Sequence, residues 1–149
     1  MLALHRALAS GWQVEALLAM FDEGGQRSRS HAIPPHLMQA QAEALGVALV
    51  IGRAGWADYE AVFTQQLRRF AAQGLTHGLF GDIDLQAHRD WCLKVCAATG
   101  LAAIHPLWHE ARTDLFIPMY LMLLSWFFLY CYPIARWTLT LERRFAQGA

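Results

Sequence analysis

Four polar side chains suited to binding and chemistry lie within eight residues of one another: Asp82, Asp84, His88 and Arg89. They follow a short apolar run that breaks at Gly81 and then opens a helical pattern. In α/β proteins ligands bind where strands end, because side chains and free helix N–H groups converge there. We interpret the two carboxylates as candidate catalytic groups, and His88 and Arg89 as candidate substrate-binding groups. A purely structural alternative for Asp84 is that it caps the helix.

The composition of the chain limits the classes of function. Its 149 residues suit one domain with a real core, and 12 basic residues balance 12 acidic ones, so no bulk field attracts nucleic acid or anionic lipid. Three cysteines without a CxxC pair argue against a disulfide framework or a zinc ribbon and fit a reducing compartment. The first apolar stretch is short and already charged at Arg6, which is unlike a signal peptide. We therefore expect most of the chain to be cytoplasmic.

Helical and strand-like patterns alternate along the first two thirds of the chain. The alternation predicts an α/β fold with an open parallel sheet and helices on both faces. The glycines that follow helical patterns are placed as helix-ending residues: Gly11, Gly46, Gly74 and Gly100. Predicted helices cover residues 1–9, 34–45, 58–73 and 85–99, and the predicted strands are Val14–Phe21, Ala48–Ile51, Thr76–Phe80 and Ala102–His105.

Five short motifs occur in an order and at spacings that resemble one known family. They are Leu2-Ala3-Leu4-His5-Arg6-Ala7-Leu8, residues 27–34, residues 41–46, Phe80-Gly81-Asp82-Ile83-Asp84 and His105-Pro106-Leu107-Trp108. Together they resemble the diphthine–ammonia ligase (diphthamide synthase) family of ATP pyrophosphatases, in particular its bacterial members, over about residues 1–115.

This resemblance implies an ATP-using enzyme with an adenine-nucleotide hydrolase-like fold. Such an enzyme activates a carboxylate as an acyl adenylate, releases pyrophosphate and forms an amide with ammonia, with Mg²⁺ accompanying ATP. The resemblance implies nucleotide binding by Ser30, His31 and Gly81, and it implies that Asp82 orients ammonia or Mg²⁺. Arg27 and Arg29 could contact phosphate, although their Arg-Ser-Arg-Ser loop also reads as a solvated turn.

The resemblance also predicts a missing element. In the family, the helix that begins Leu-Ala-Leu-His-Arg follows a strand and a Ser-Gly-Gly-Lys-Asp-Ser loop that holds the phosphates. Gly24-Gly25 does not replace this loop, because Gln26 and Arg27 follow it. The missing strand is expected between Val14–Phe21 and Thr76–Phe80, so these two strands should either close up and pair or leave a loose domain. We expect such an N-terminally truncated chain to be inactive by itself.

A metal site is not predicted by the spacing of His88, Cys92 and Cys96. The outer two are about 12 Å apart along a helix, so one ion cannot bind all three. Cysteines on an apolar helix face are commonly core residues.

The composition changes abruptly at residue 115, which divides the chain into an α/β domain (1–114) and an apolar tail (115–149). No charge occurs in Leu115–Ala135, a span of 21 residues. A membrane helix is opposed by Pro118 and Pro133, which leave a clean helix only over Met119–Tyr132. The basic residues that follow the span also oppose it. They would keep the C-terminus in the cytoplasm and so place the α/β domain on the outside. The tail could instead be a soluble core helix or aberrant sequence from a frameshift near Asp114.

Two functions of different class therefore stay open. One is a truncated amide ligase whose partners are ATP, a carboxylate and ammonia, without nucleic acid. The other is a non-catalytic α/β module, tethered to a membrane or a partner through residues 115–135. The first predicts a cytoplasmic protein and the second a membrane-anchored one.

Overall fold

Four helices alternate with four short strands, and a long fifth helix follows. The structure is a computed structural model that describes residues 2–146, without the side chains of residues 115 and 142–146. The helices are α1 (Leu2–Ala9), α2 (Pro35–Leu45), α3 (Tyr59–Ala72), α4 (Gln86–Ala97) and α5 (Arg112–Ala146). The strands are β1 (Ala16–Phe21), β2 (Ala48–Arg53), β3 (His77–Leu79) and β4 (Ala102–Ile104). The order of elements predicted from the sequence is confirmed; Met1, in the first predicted helix, lies outside the described residues. The chain divides into two compact units, residues 1–108 and 109–149.

The strands pair in parallel, as predicted, but they do not form one sheet. β1 pairs with β2 over six residues, from Ala16 opposite Ala48 to Phe21 opposite Arg53. β3 pairs with β4 over three residues, beginning with His77 opposite Ala102. Each pair is a separate two-stranded sheet, so the expected single open sheet is replaced by two half-sheets.

A cavity of about 1170 Å³, here called the inter-sheet slot, lies between β1 and β3. Side chains of α3 reach into it, among them Phe63, Leu67 and Phe70. At one end the Trp12 indole meets the His77 ring edge-on with centroids 4.7 Å apart. The alternative that β1 and β3 close up and pair is therefore wrong: bulky side chains, rather than backbone hydrogen bonds, fill part of the space between them.

The slot leaves backbone groups of both strands without a strand partner among the described residues. Alternate residues of a strand direct their N–H and C=O groups to opposite sides. On β1, Glu15 and Phe21 carbonyls face β2, so the groups of Ala16 and Leu18 face the slot. Next to β3, the Thr76 carbonyl accepts a hydrogen bond from the Ala102 N–H and therefore faces β4. The backbone groups of the following residue, His77, therefore face the slot.

The core of the first unit is formed by α3, α4 and the strands that they cover. It contains the buried side chains Met20, Ala54, Phe63, Leu67, Val95, Cys96 and Leu101. On the surface, the Glu60 carboxylate on α3 accepts hydrogen bonds from Lys94 Nζ and Trp91 Nε1 on α4, both at 2.8 Å. These contacts join the surface of α4 to that of α3.

The four predicted helix-ending glycines all adopt the left-handed conformation. Gly46 has a φ of 68° and directs its N–H back to the last turn of α2, a conformation that costs a residue with a Cβ far more. The φ angles of Gly11, Gly74 and Gly100 are 84°, 91° and 78°. This part of the prediction is confirmed.

The helix α5 continues through both of its prolines over 35 residues. The prediction that Pro118 and Pro133 confine the helix to Met119–Tyr132 was wrong. Each proline removes one backbone hydrogen bond and crowds the preceding turn, but the other turns of so long a helix remain bonded. Residues 112–141 are long and apolar enough to cross a membrane, and none of their most apolar window is buried.

Candidate functional site

Polar side chains from two strands and one helix converge at the carboxyl ends of β3 and β4, a region here called the β3–β4 end. Parallel neighbours end at the same sheet edge, so Asp82, which follows β3, faces His105, which follows β4. Their Oδ2 and Nε2 atoms are 4.0 Å apart. From α4, Cys92 Sγ donates to Asp82 Oδ2 at 3.7 Å, and His88 Nδ1 lies 3.2 Å from Asp82 Oδ1. We call these four residues the Asp82 cluster.

His105 is the most deeply buried polar ring of this cluster. Its side chain is 5% exposed, whereas that of His88 is 66% exposed. The ring stacks on Phe80 with centroids 5.4 Å apart and meets the Trp108 indole edge-on at 6.0 Å. Burial lowers the pKa of His105 below its ordinary value; the Asp82 charge opposes this shift and the Arg89 charge adds to it. The imidazole is therefore neutral at pH 7, and Nε2 has no hydrogen-bond partner among the described residues.

Cys92 acts in this cluster as a thiol rather than a thiolate. Burial is the largest cause that raises its pKa to about 12, and the charge and hydrogen bond of Asp82 raise it further. A protonated thiol can donate to the carboxylate, which explains the 3.7 Å contact. A nucleophilic cysteine needs the opposite shift, so nucleophilic catalysis by Cys92 is disfavoured.

Arg89 lies beside the cluster with its guanidinium against an aromatic ring. The Cζ atom is 4.7 Å from the centre of the Trp108 ring, which is cation–π geometry. Its Nε is buried without a hydrogen-bond partner among the described residues. Gly81 and Asp84 are exposed beside it. The helix α4 has Leu85 at its N-cap position without a side-chain cap, so the structure does not assign Asp84 the capping role.

The loop after β1, residues 22–33, is here called the β1 end, and it is folded on itself. The buried Ser28 Oγ accepts a hydrogen bond from the Ile33 N–H at 3.1 Å. Arg29 donates to the Ala54 carbonyl through Nε at 3.1 Å and Nη2 at 2.6 Å. Ser30 and His31 are exposed between these anchors. The structure thus uses Arg29 to hold the loop, and nucleotide binding by Ser30 and His31 stays a prediction.

Two N–H groups of the Gly24-Gly25 turn are bonded within the loop rather than directed to a ligand. Gly25 N–H bonds the Asp22 carbonyl at 2.9 Å, and Gln26 N–H bonds Asp22 Oδ1 at 2.7 Å. The space where Gly25 would carry a Cβ is filled by the Arg53 guanidinium, with Nε 2.7 Å away. These observations agree with the expectation that the turn does not replace a phosphate loop.

A row of aromatic rings connects the two ends. The centroid of each ring is within 6.5 Å of the next, and one arginine lies over the first ring and another over the last. The order is Arg29, Trp56, Tyr59, Phe63, Phe80, His105, Trp108 and Arg89. The row gives the two ends a common packed support. That the predicted residues of both ends gather at one sheet edge stays a prediction.

The donors around Asp82 do not suit Mg²⁺. This ion prefers six oxygen ligands in an octahedron and keeps several waters. The Asp82 cluster offers one carboxylate, a sulfur and two imidazole nitrogens. An Mg²⁺ ion that accompanies a nucleotide would therefore need oxygen ligands outside this cluster.

Comparison with known proteins identifies the family. A family model of the diphthamide synthase N-terminal domain matches residues 1–103. The chain belongs to this family. No curated protein matches the chain significantly. The matched residues include Asp82, His88 and Cys92, and the match ends just before His105.

Sequence reasoning missed Cys92 and His105 as partners of Asp82. A signal for each was present in the sequence. His105 follows a strand predicted to lie parallel to the strand before Asp82, so both should share an edge. Cys92 is four residues after His88 and therefore on the same helix face.

Proposed function

We propose that this diphthamide synthase N-terminal domain is the ATP-pyrophosphatase-type part of an amide ligase. In that reaction a carboxylate oxygen attacks the α-phosphate of ATP and pyrophosphate leaves. Ammonia then attacks the acyl carbon, AMP leaves, and a proton is lost from the nitrogen. The observation that supports this proposal is the family match over residues 1–103, which includes Asp82, His88 and Cys92 at a strand end.

The residues of this chain would divide the work between the two ends. The Asp82 side chain is only partly buried and is held by two side chains, so its oxygens can accept hydrogen bonds from ammonia and orient it. His88 and Arg89 carry the donors that a substrate carboxylate needs. At the β1 end the exposed His31 ring is available to stack on or hydrogen-bond a base, next to Ser30.

We propose further that these 149 residues do not turn over ATP by themselves. No segment of the sequence reads Ser-Gly-Gly-x-Asp-Ser, and in the Gly24-Gly25 turn the N–H groups of Gly25 and Gln26 are bonded to Asp22. Loss of one oxyanion-stabilising donor costs about 10²–10³ in rate, and several are lacking together. The size of the inter-sheet slot, about 1170 Å³, supports the strand that the family resemblance predicts between β1 and β3, because a six-residue strand with its side chains occupies roughly 1000 Å³.

The decisive experiment measures pyrophosphate release with Mg-ATP, ammonium and a panel of carboxylic acids. The chain is assayed alone and with a synthetic peptide that carries an apolar strand followed by Ser-Gly-Gly-Lys-Asp-Ser. We expect no turnover by the chain alone and turnover with the peptide. A peptide of the same composition in scrambled order is the control.

Two variants assign the chemistry. Asp82→Asn should abolish the peptide-dependent turnover, whereas Asp90→Asn, on the exposed face of α4, should preserve it. Turnover by the chain alone that disappears in Asp82→Asn would reveal another phosphate site and contradict the proposed inactivity. Absence of turnover with every acid and the peptide would contradict the ligase proposal.

A second function, a module tethered to a membrane, is favoured by one observation: the large apolar side chains of α5 from Phe116 to Leu139 are exposed. If the helix inserts, an arginine near its centre costs about 2.5–3.5 kcal/mol. Flotation of the full chain with lipid vesicles should therefore fall sharply for Leu124→Arg with Phe128→Arg. Thr140→Arg, near the helix end, is the matched control. Unchanged flotation of the double variant would exclude insertion of this helix.

A further inference from the structure

Three different metal-binding atoms converge within the Asp82 cluster. A carboxylate oxygen of Asp82, the sulfur of Cys92 and a ring nitrogen of His105 all lie within 4.8 Å of one another. We propose that these three residues form a binding site for a divalent transition metal of the zinc class. The proposal does not rest on the ligase function, since it concerns metal binding by the chain as it stands.

The two distances that join Asp82 Oδ2 to the other donor atoms are close to those of a metal centre. Tetrahedral zinc has bonds of about 2.0–2.3 Å, which places its ligand atoms roughly 3.3–3.7 Å apart. Cys92 Sγ and Asp82 Oδ2 are already 3.7 Å apart, and His105 Nε2 is 4.0 Å from the same oxygen. A shift of a few tenths of an ångström therefore brings Sγ and Nε2 each to coordination distance from that oxygen, and Sγ and Nε2 lie within 4.8 Å of each other.

An independent observation, the state of the His105 ring, points to a ligand. The His105 side chain is only 5% exposed, and its Nε2 has no hydrogen-bond partner among the described residues. A buried polar nitrogen without a partner is costly, and native structures seldom keep one without a reason. Nε2 lies on the side of the ring that faces Asp82. A cation bound there would give this nitrogen its partner.

The donor types select the kind of metal. Thiolate and imidazole together suit zinc and similar transition metals, whereas Mg²⁺ and Ca²⁺ prefer oxygen. Binding replaces the thiol proton of Cys92, so a divalent ion is balanced by two anionic ligands. Three protein ligands leave the fourth position of a tetrahedron for water or a substrate atom.

Two neighbours tune the site in opposite directions. His88 Nδ1, 3.2 Å from Asp82 Oδ1, holds the carboxylate oxygen that does not face the sulfur and fixes its orientation. Arg89 lies over the Trp108 ring beside His105, and its positive charge weakens the binding of a metal ion there. The spacing of His88, Cys92 and Cys96 does not predict this site, because it includes Cys96, which lies in the core instead.

The test measures Zn²⁺ and Co²⁺ binding to the full chain in a mild detergent. Equilibrium dialysis should give one ion per chain, and Co²⁺ should produce a thiolate-to-metal charge-transfer band. Zn²⁺ should also raise the midpoint of thermal unfolding, since a ligand that binds the folded state stabilises it. These readouts are separate from pyrophosphate release, so failure here leaves the ligase proposal standing.

Variants identify the ligands. Cys92→Ser should remove the Co²⁺ band and weaken Zn²⁺ binding by about 100-fold or more, whereas Cys96→Ser, one turn along α4, should keep both. Cys131→Ser excludes the exposed cysteine of α5. His105→Asn should keep the band but weaken binding, which tests the site if Cys92→Ser does not fold. His88→Ala should weaken binding about 10-fold.

Two outcomes would overturn the proposal. One is Co²⁺ binding that lacks the charge-transfer band in the parent chain. The other is Zn²⁺ affinity that is equal in the parent chain, Cys92→Ser and His105→Asn.

Discussion

The β1 end and the β3–β4 end both follow parallel strands, yet they use their polar residues differently. At the β1 end, Ser28 and Arg29 hold the loop, and the residues predicted to bind a ligand are exposed. At the β3–β4 end, polar groups from two strands and a helix meet around the carboxylate of Asp82. A compact polar site thus forms where neighbouring strands end beside a helix start.

The difference has a structural origin in what lies next to each strand. β3 has β4 beside it and α4 above it, and both contribute side chains at the same edge. β1 has β2 on one side and the inter-sheet slot on the other. The side of β1 that would complete a site therefore has no element in the described part of the chain, which agrees with the proposal that the nucleotide side needs a further segment.

The largest expected contrast between the two ends is in their histidines. His105→Ala removes a buried ring that packs on Phe80 and Trp108, and we expect it to lower the free energy of unfolding by about 2–3 kcal/mol. His31→Ala, at an exposed position, should change it by less than about 0.5 kcal/mol. Urea denaturation in mild detergent with a chelator measures both. Equal effects would show that the β1 end is as tightly packed as the β3–β4 end.

A smaller contrast lies within the β1 end and separates its anchor from its exposed residues. Ser28→Ala leaves the Ile33 N–H without its acceptor, which should cost about 1 kcal/mol in the free energy of unfolding. Ser30→Ala, two residues further on, should cost less than about 0.5 kcal/mol. The same denaturation experiment compares them. If Ser30→Ala were the more harmful, the loop would be held differently from the way the structure shows.

These two ends also show what the sequence could predict. Local signals, such as periodicity and the helix-ending Gly46, predicted the order of the helices and strands, and the alternation of the two predicted the parallel pairing. The extent of α5 was not predicted, because the helix continues through its prolines. The split into half-sheets is not local: it depends on which strands lie side by side in the folded chain, and the inter-sheet slot separates β1 from β3. The family resemblance indicated where the split would occur but not whether the strands would close.

The site itself was predictable in part. Asp82 and His88 were singled out, and the structure places them in contact. The predicted roles of both remain proposals. Cys92 and His105 are 10 and 23 residues from Asp82 in sequence, and only the docking of α4 and the pairing of β4 bring them near. Contacts of this kind depend on tertiary packing, which residue spacing alone does not encode.

The smallest predicted effect concerns the anchor of α4, which holds half of the Asp82 cluster. Hydrogen bonds from Lys94 and Trp91 lower the pKa of Glu60 below its ordinary value of 4.5. A carboxyl group with a lowered pKa in the folded state binds fewer protons there than in the unfolded state. Its contribution to stability is therefore present above the ordinary pKa and is lost as the pH falls.

Glu60→Gln should accordingly make the free energy of unfolding fall less steeply between about pH 5 and about pH 3. The effect should shrink in about 1 M salt, because Glu60 is exposed to solvent and its charge is screened. Glu15→Gln, a substitution outside the contact between α3 and α4, is the control. Urea denaturation at a series of pH values measures the slope for each protein. An unchanged slope in Glu60→Gln would mean that this surface contact does not hold α4 in place. The packing of Val95 and Cys96 against α3 would then be what positions α4, and with it the β3–β4 end.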